Sequence, residues 1–434
     1  MSAPLTARIA AEHASTLAAL PPQLAGGVRR RAAMAALAAD GLPGARDENW
    51  KYANLRTLER QSFTPAPLDP RAAGAAAPAA LPPRLAGFAR YVFIDGNFAP
   101  ALSDALDAGP ARVLPLAVFE SESAPPPAHP ARDQRFALLN AAFATDGAAI
   151  TVAAAGAARI ELLFVASAAA HSGASYPRVE LRLGPHARLT LIERHLSAGD
   201  CASFVASAVA AELDRAAALE HYRLQELDDR AVLFDSLSAT LGADARYALR
   251  AIGSGALAAR STVEVRLAGE RAELTLAAAS LGDRQQVQDT YALVEHLAPD
   301  TRTEETFRGI AAGRSRVAFN GRILVARAAR GADSRQSLRG LLAGAQAEID
   351  VRPQLEIYTD EVSASHGATA GKLDDQMLFY LLSRGLDRET AQRALKWAFL
   401  GDVVARIEPP PLRQQIETRL AAQMLGGATF RELL

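Results

Sequence analysis

Ala187, Ala217, Ala245 and Ala272 follow one another at spacings of 30, 28 and 27 residues, and each opens a short stretch in which polar and apolar residues alternate. At three of the four a glycine stands three positions earlier, at Gly184, Gly242 and Gly269. The same header recurs from Gly344 to Ile349, with Ala347 lying 75 residues after Ala272. A turn followed by a strand with one apolar face cannot bury that face alone. Repeated at a period in the high twenties, such units bury it by stacking coil on coil. The spacing predicts a parallel β-helix. The competing reading is a β-sandwich whose alanines recur by coincidence in an alanine-rich chain.

From about residue 148 to 358 the texture is nearly all β. Arg159 to Val165, Arg178 to Leu183, Ala187 to Ile192, Ser261 to Leu267, Ala272 to Leu276 and Ala347 to Ile357 all alternate with period 2. Alanine favours helix, but here the periodicity outranks the propensity.

The flanks read differently. Residues 5 to 40 form two helices split by Pro21-Pro22 and closed by Pro43 and Gly44. A polar and aromatic cluster runs from Arg46 to Tyr52, and the proline-rich stretches at 62 to 86 and Pro125 to Pro130 read as linkers. Tyr91 to Ile94 is a strand entering a turn at Asp95-Gly96-Asn97, and a short helix spans about Arg135 to Phe143. After Lys372 helix returns, with Asp374 and Asp387 as caps and Gly385 ending the first helix. In the second, Ala391, Ala394, Leu395, Ala398 and Phe399 form an apolar stripe. Burial of Leu395 and of Phe399 is expected to contribute about 1.5 to 3 kcal/mol each. Glu389 and Arg393 pair at i, i+4. A last helix runs from about Leu412 to Leu425. The expected organisation is an N-terminal helical region with linkers (1–147), a β-helix core (148–358) and a C-terminal segment with a helical domain (359–434), mainly β in class.

Composition removes several functions. With 47 basic and 48 acidic residues the formal net charge is -1, so no global field draws nucleic acid or anionic lipid. No apolar run reaches the 18 or so residues of a membrane helix, and mean hydropathy is only +0.02. The one cysteine, Cys201, forms neither an internal disulfide nor a CxxC site and suits a reducing compartment. Its neighbours Ala202 to Val205 make it a buried, inert thiol. Arg29-Arg30-Arg31 precedes a stretch that is barely hydrophobic and that Asp40 interrupts, so no targeting signal is expected and the chain is placed in the cytoplasm.

Motifs remove more. The only Gly-Lys pair, Gly371-Lys372, is followed by Leu373 where a Walker A loop needs Ser or Thr, so this chain carries no ATP site. Gly253 to Ala258 matches GxGxxA, but a dinucleotide site needs a helix next, and Ser261 to Val265 is a strand. HExxH and GxSxG are absent, and the eight histidines show no pair at ligand spacing. Asp228-Asp229 reads as a turn and Asp374-Asp375 as a helix start, not as the carboxylates of a polysaccharide-cleaving β-helix.

The stretch from Pro353 to Asp374 contains Ser363-Ala364-Ser365-His366-Gly367-Ala368-Thr369-Ala370-Gly371. It resembles the core signature of the SufB/SufD family of iron-sulfur cluster assembly proteins, in the Ser-His-Gly-Ala-Thr-x-Gly form of its SufD members. Leu378 to Leu381 with Ser383-Arg384-Gly385, Phe319 to Arg322, Gln336-Ser337 and His296 with Pro299 match the same family. So do Arg46, Glu48, Trp50 to Tyr52, Phe93 to Gly96, Leu139 to Ala141 and Asp146-Gly147. The resemblance covers nearly the whole chain in order.

The resemblance implies a non-enzymatic subunit with a right-handed parallel β-helix between two α-helical domains. It implies pairing with a SufB-like paralogue through the β-helix and docking of a SufC-like ATPase on the C-terminal helices, in a complex of one SufB, one SufD and two SufC. Closure of the ATPases is thought to rearrange the interface where a transient iron-sulfur cluster assembles. It places His366 there, as a ligand of iron or cluster, a role open to neutral imidazole. Taken alone, His366 would be a loop histidine satisfied by ordinary hydrogen bonds. Many members carry cysteine two residues earlier, and here that residue is Ala364, so sulfur ligands must come from the partner. Cys201 sits in no matching motif. Two other classes stay open: a self-associating, homodimeric β-helix without iron chemistry, and a carbohydrate-active β-helix.

Overall fold

In the computed structural model, residues 2–20, 27–44, 47–65, 81–106, 110–115, 134–167, 173–200 and 202–425 are described. Cys201, Arg46, the Pro125 to Pro130 bridge and most of the 62 to 86 linker lie outside them.

The chain winds between two sheets. One has the order β2 (Asn97–Phe98), β1 (Ala89–Ile94), β5 (Ala157–Ser167), β8 (Arg188–Ala198), β10 (Ala218–Glu226), β12 (Arg246–Ser254), β14 (Glu273–Gly282), β16 (Arg302–Ala311), β18 (Ala332–Leu342), β20 (Val362–Gly371). The other has the order β3 (Ala111–Pro115), β4 (Gly147–Val152), β7 (Arg178–Leu183), β9 (Phe204–Leu213), β11 (Val232–Leu241), β13 (Ala258–Leu267), β15 (Val287–His296), β17 (Arg316–Val325), β19 (Glu348–Ile357), with β6 (Ala174–Ser175) beside β9. From β4 and β5 onward the strands alternate between the sheets and pair in parallel with the coil before, which is a β-helix and not a sandwich. The antiparallel pairs β1–β2 and β3–β4 lie at the N-terminal end.

The alanine spacing is the pitch of this helix. Ala187, Ala217, Ala245 and Ala272 stack, one residue ahead of the registered starts of β8, β10, β12 and β14, and all are fully buried. Each donates its N–H to the carbonyl three residues back, at Gly184, Asp214, Gly242 and Gly269. The residue between is left-handed: His186, Ala216, Asp244, Arg271 and Asp300 have φ between 55° and 59°. Side-chain-bearing residues adopt this at a cost of about 1 to 2 kcal/mol. The N–H so turned reaches the next coil, as from His186 to Arg215 and from Asp244 to Glu270, which offsets that cost. Glycine is obligatory at Gly269, where a Cβ would lie 2.0 Å from the Ala243 nitrogen.

Two sequence expectations need correction. Ala347 is not the next member of the alanine column. That column continues through Thr301 to Ala332, whereas Ala347 heads β19 in the other sheet, level with Ser315. The ladder also does not stop at residue 358, because β20 adds Val362–Gly371 to it.

Apolar rows such as Leu191, Leu249, Leu276, Leu237 and Val263 fill the interior. The helices α1 (Ser2–Ala19), α2 (Val28–Asp40) and α3 (Arg135–Phe143) cover the outer face of the β9–β11 region, where Phe136 and Trp50 meet Phe204 and Phe234. Trp50 also lies under the Arg260 guanidinium at 4.3 Å, and Glu48 bonds Arg352 of β19 at 2.7 Å. The motif from Glu48 to Trp50 therefore fastens the N-terminal arm to the solenoid.

At the other end follow α4 (Asp375–Ser383), α5 (Arg388–Val404) and α6 (Pro410–Leu425). Asp374 and Asp387 cap α4 and α5 as expected, and Arg393 bonds Glu389. The buried stripe of α5 is only partly the one expected: Ala391 is fully buried, but the rest of the burial falls later in the helix. Leu400, Val403 and Val404 pack with Leu412 and Ile416 on Tyr222, Ile252 and Ile310, while Leu395 and Phe399 are half-buried and Ala398 is exposed. Arg308 of β16 pins Asp402, so the C-terminal half of α5 lies on the sheet. The N-terminal half pairs with α4 instead.

Candidate functional site

The last strands, β19 and β20, have no further strand beside them among the described residues, so the solenoid ends open. In β18 the buried residues Ala332, Ser334, Gln336, Leu338 and Gly340 alternate with Asp333, Arg335, Ser337 and Arg339, which marks the inward row. Register sets Val362, Ala364, His366, Ala368 and Ala370 of β20 over that row. With no coil above, His366 is exposed although its row faces the interior. It is a strand residue, not a loop residue, and no hydrogen bond or ion pair holds its ring among the described residues.

Beneath it the interior is polar. The column Leu276, Glu305, Gln336, His366 runs through β14, β16, β18 and β20. Gln336 is 4% exposed and Glu305 is fully buried. The Gln336 amide nitrogen donates to Glu305 Oε2 and, at 3.1 Å, to the Gly321 carbonyl. Gly321 makes the room, since a Cβ there would lie 2.6 Å from Glu305 Oε2 and 2.8 Å from Gln336 Nε2. Burial pushes the Glu305 carboxyl up to about 7, only partly opposed by Gln336. Glu305 Oε1 and Gln336 Oε1 have no hydrogen-bond partner among the described residues. Phe319 to Arg322 and Gln336-Ser337, two motifs of the resemblance, thus converge under His366.

A second polar cluster lies mid-solenoid. Arg223 donates to Glu193 at 2.7 and 3.2 Å and to Asp235 at 2.6 and 2.9 Å. His195 and His221 also meet Glu193, at 2.9 and 3.1 Å, and the Tyr247 hydroxyl lies 3.1 Å from His221 Nδ1. Burial would raise the Glu193 carboxyl, but Arg223 and the two imidazoles hold it well below the usual range. Burial lowers His221. Beside the cluster is a cavity of about 70 Å³ lined by Arg223, Asp235, Gln225, Ser261 and Gln288 among others. Two of the eight histidines are therefore gathered; the available signal was Glu193 to Arg223, 30 residues, one coil, with His195 and His221 each two residues away.

The remaining motifs are structural. His296 bonds Thr301 at 2.8 Å and Thr303 at 3.0 Å, and burial lowers it to about 4. Gly253 to Ala258 runs from the end of β12 through a turn into β13, and a Cβ on Gly255 in that turn would lie 2.1 Å from the Leu227 carbonyl oxygen. Asp229 of the Asp228-Asp229 turn meets Arg284 and Gln286. No group of three His, Cys, Asp or Glu able to hold a metal occurs among the described residues. No helix among them is long and apolar enough to cross a membrane. On α4, Met377, Phe379 and Tyr380 are 56%, 72% and 55% exposed, a row of large apolar side chains beyond the solenoid end.

Fold and site define a β-helical protein with a histidine exposed on the last strand of the solenoid and a helical C-terminal segment packed on its outer face. Comparison with known proteins gives this class its family. Residues 164–399 match the SufBD core domain of the SUF system for FeS cluster assembly. The iron-sulfur cluster assembly protein SufD of Escherichia coli (strain K12) is 29% identical over 394 residues, spanning 89% of this chain and 90% of its own. A SufBD family protein of Synechocystis sp. is 27% identical over 404 residues, 87% of either chain. One of Mycobacterium leprae is 28% identical over 249 residues, 56% of this chain and 62% of its own. The chain belongs to the SufBD family of iron-sulfur cluster assembly proteins.

Proposed function

We propose that this chain is a cytoplasmic, non-enzymatic scaffold subunit that pairs end to end with a SufB-like paralogue through its open solenoid end and binds a SufC-like ATPase through α4 and α5. The cluster under assembly is cargo, held transiently at the paired ends beside His366. The observation that carries this reading is the place of His366: on an inward row, at a coil beyond which no further strand follows among the described residues. One imidazole is too few ligands for iron or a cluster, and Ala364 supplies no thiolate, so the other ligands belong to the partner. An exposed strand such as β20 is a template for pairing with another chain. The exposed Met377, Phe379 and Tyr380 suit a partner that buries an apolar surface, and the absence of a P-loop lysine leaves ATP hydrolysis to that partner.

Co-expression with the SufB-like and SufC-like proteins, followed by size-exclusion chromatography and mass determination, tests the reading. The expected species contains one copy of this chain, one paralogue and two ATPases. Elution alone or as a homodimer, with the partners folded, overturns it in favour of self-association. In the assembled complex, His366→Ala lowers cluster yield without changing composition; wild-type yield would remove His366 from the site.

A further inference from the structure

Gln336 has one half of its amide engaged and the other half open. Its nitrogen faces the Gly321 carbonyl, which can only accept, and this fixes the orientation of the amide. Its oxygen is buried and has no partner. Buried polar atoms are rarely left so, and the coil below offers nothing further, because its side chain in this column, Glu305, already takes the nitrogen. The coil above offers one donor. On the inward row of β20 the residues are Val362, Ala364, His366, Ala368 and Ala370, and the one with a side-chain N–H is His366, registered directly over Gln336. One strand spacing, about 4.8 Å, separates the two backbones. The His366 ring has no hydrogen bond or ion pair among the described residues, so it is free to turn towards the amide below it.

We propose that Gln336 is a positioning residue for His366: its carboxamide oxygen accepts a ring N–H of the imidazole, while Glu305 and the Gly321 carbonyl hold the amide in place. The imidazole is thereby kept in one neutral tautomer, and its other nitrogen faces the open end as a ligand for a divalent first-row transition ion. A hydrogen bond from the far ring nitrogen of a metal-binding histidine has this effect generally. The metal half of the inference rests on the reading of His366 given above; the tautomer half does not.

The test uses the full chain labelled with ¹⁵N-histidine at pH 8, with the His366 signal assigned by its loss in His366→Gln. Long-range ¹H–¹⁵N spectra report the tautomer. Wild type shows a single tautomer at His366, and Gln336→Met shows the mixture of an unconstrained imidazole. A mixture in the wild type overturns the proposal whether or not any variant folds, and so does an unchanged single tautomer in a folded Gln336→Met. Titration with Co²⁺ as a probe gives a second readout: affinity falls at least about 10-fold in Gln336→Met and is lost in His366→Ala. Equal affinity in wild type and Gln336→Met, with binding still lost in His366→Ala, overturns the positioning role. A fixed tautomer with Co²⁺ indifferent to His366→Ala sinks instead the ligand role of His366, and leaves the placement by Gln336 standing.

Discussion

Two polar clusters sit inside the same solenoid and are built on opposite terms. Mid-solenoid, each carboxylate oxygen of Glu193 and Asp235 has a partner, supplied by Arg223, His195, His221 and Ser261. At the end, among the described residues, Glu305 has one oxygen bonded and one bare, Gln336 has its amide nitrogen bonded and its oxygen bare, and the His366 ring is exposed. The first arrangement gives every carboxylate oxygen a partner and leaves only His195 Nδ1 of the cluster's acid and imidazole atoms bare, and it stabilises one register of coils. The second leaves hydrogen-bonding capacity unspent at the solenoid end, where no further coil follows among the described residues. Burial alone does not tell structural from functional polarity in a β-helix. The balance of satisfied and unsatisfied groups does.

The contrast makes graded predictions. The largest effect belongs to Arg223→Met, which strands two buried carboxylates: about 3 to 5 kcal/mol of stability is lost, read by denaturant unfolding. A loss below 1 kcal/mol would show that the mid-solenoid cluster is not a closed network.

Next comes Glu305→Gln, with the opposite sign. The folded carboxyl titrates at about 7 against 4.5 in the unfolded chain, so the native state binds more protons between these values. Its stability from this group is greatest below 4.5, declines as pH rises to about 7 and stays low above. That preference corresponds to about 3 kcal/mol. The variant is expected to be more stable than wild type at pH 8 and to lose the decline. Glu193 runs the other way, its contribution being present above 4.5 and lost as pH falls. A pH series of unfolding curves, wild type against Glu305→Gln, separates the two.

Smaller still are the surface changes. Phe379→Ser on α4 shifts stability by no more than about 0.5 kcal/mol but abolishes ATPase binding in a pull-down; retained binding would move the docking site elsewhere. His366→Ala is expected to have the least effect on unfolding, since its ring is exposed.

Much of the architecture was legible because the period of the sequence is the pitch of the solenoid. Ala187, Ala217, Ala245 and Ala272 pack against one another as the spacing requires, and Arg135 to Phe143 forms a helix with the bounds its apolar run suggests. The turns hid a regularity, because the left-handed position is filled by His186, Ala216, Asp244, Arg271 and Asp300, residues with nothing in common but their φ. Beyond Ala272 the coils lengthen, which broke the count and misplaced Ala347. The strand β20 went unread as strand because its inward row is small and its face open, so no apolar alternation marks it. On α5 the stripe through Leu395 and Phe399 is real but is left half-covered, since the sheet takes Leu400, Val403 and Val404 first. The site was legible only at His366. Glu305 and Gln336 needed the register, which sets residues 31 and 30 positions apart into one column.

The central claim is that function resides at the open end of the solenoid. Hydrogen–deuterium exchange of the full chain, alone and bound to its SufB-like partner, tests it most directly. Amides of Glu348–Ile357 and Val362–Gly371 are expected to gain protection on binding, with β10 and β11 unchanged. Protection gained at β1 and β2, or along the solenoid flank with β20 still exchanging freely, would contradict it.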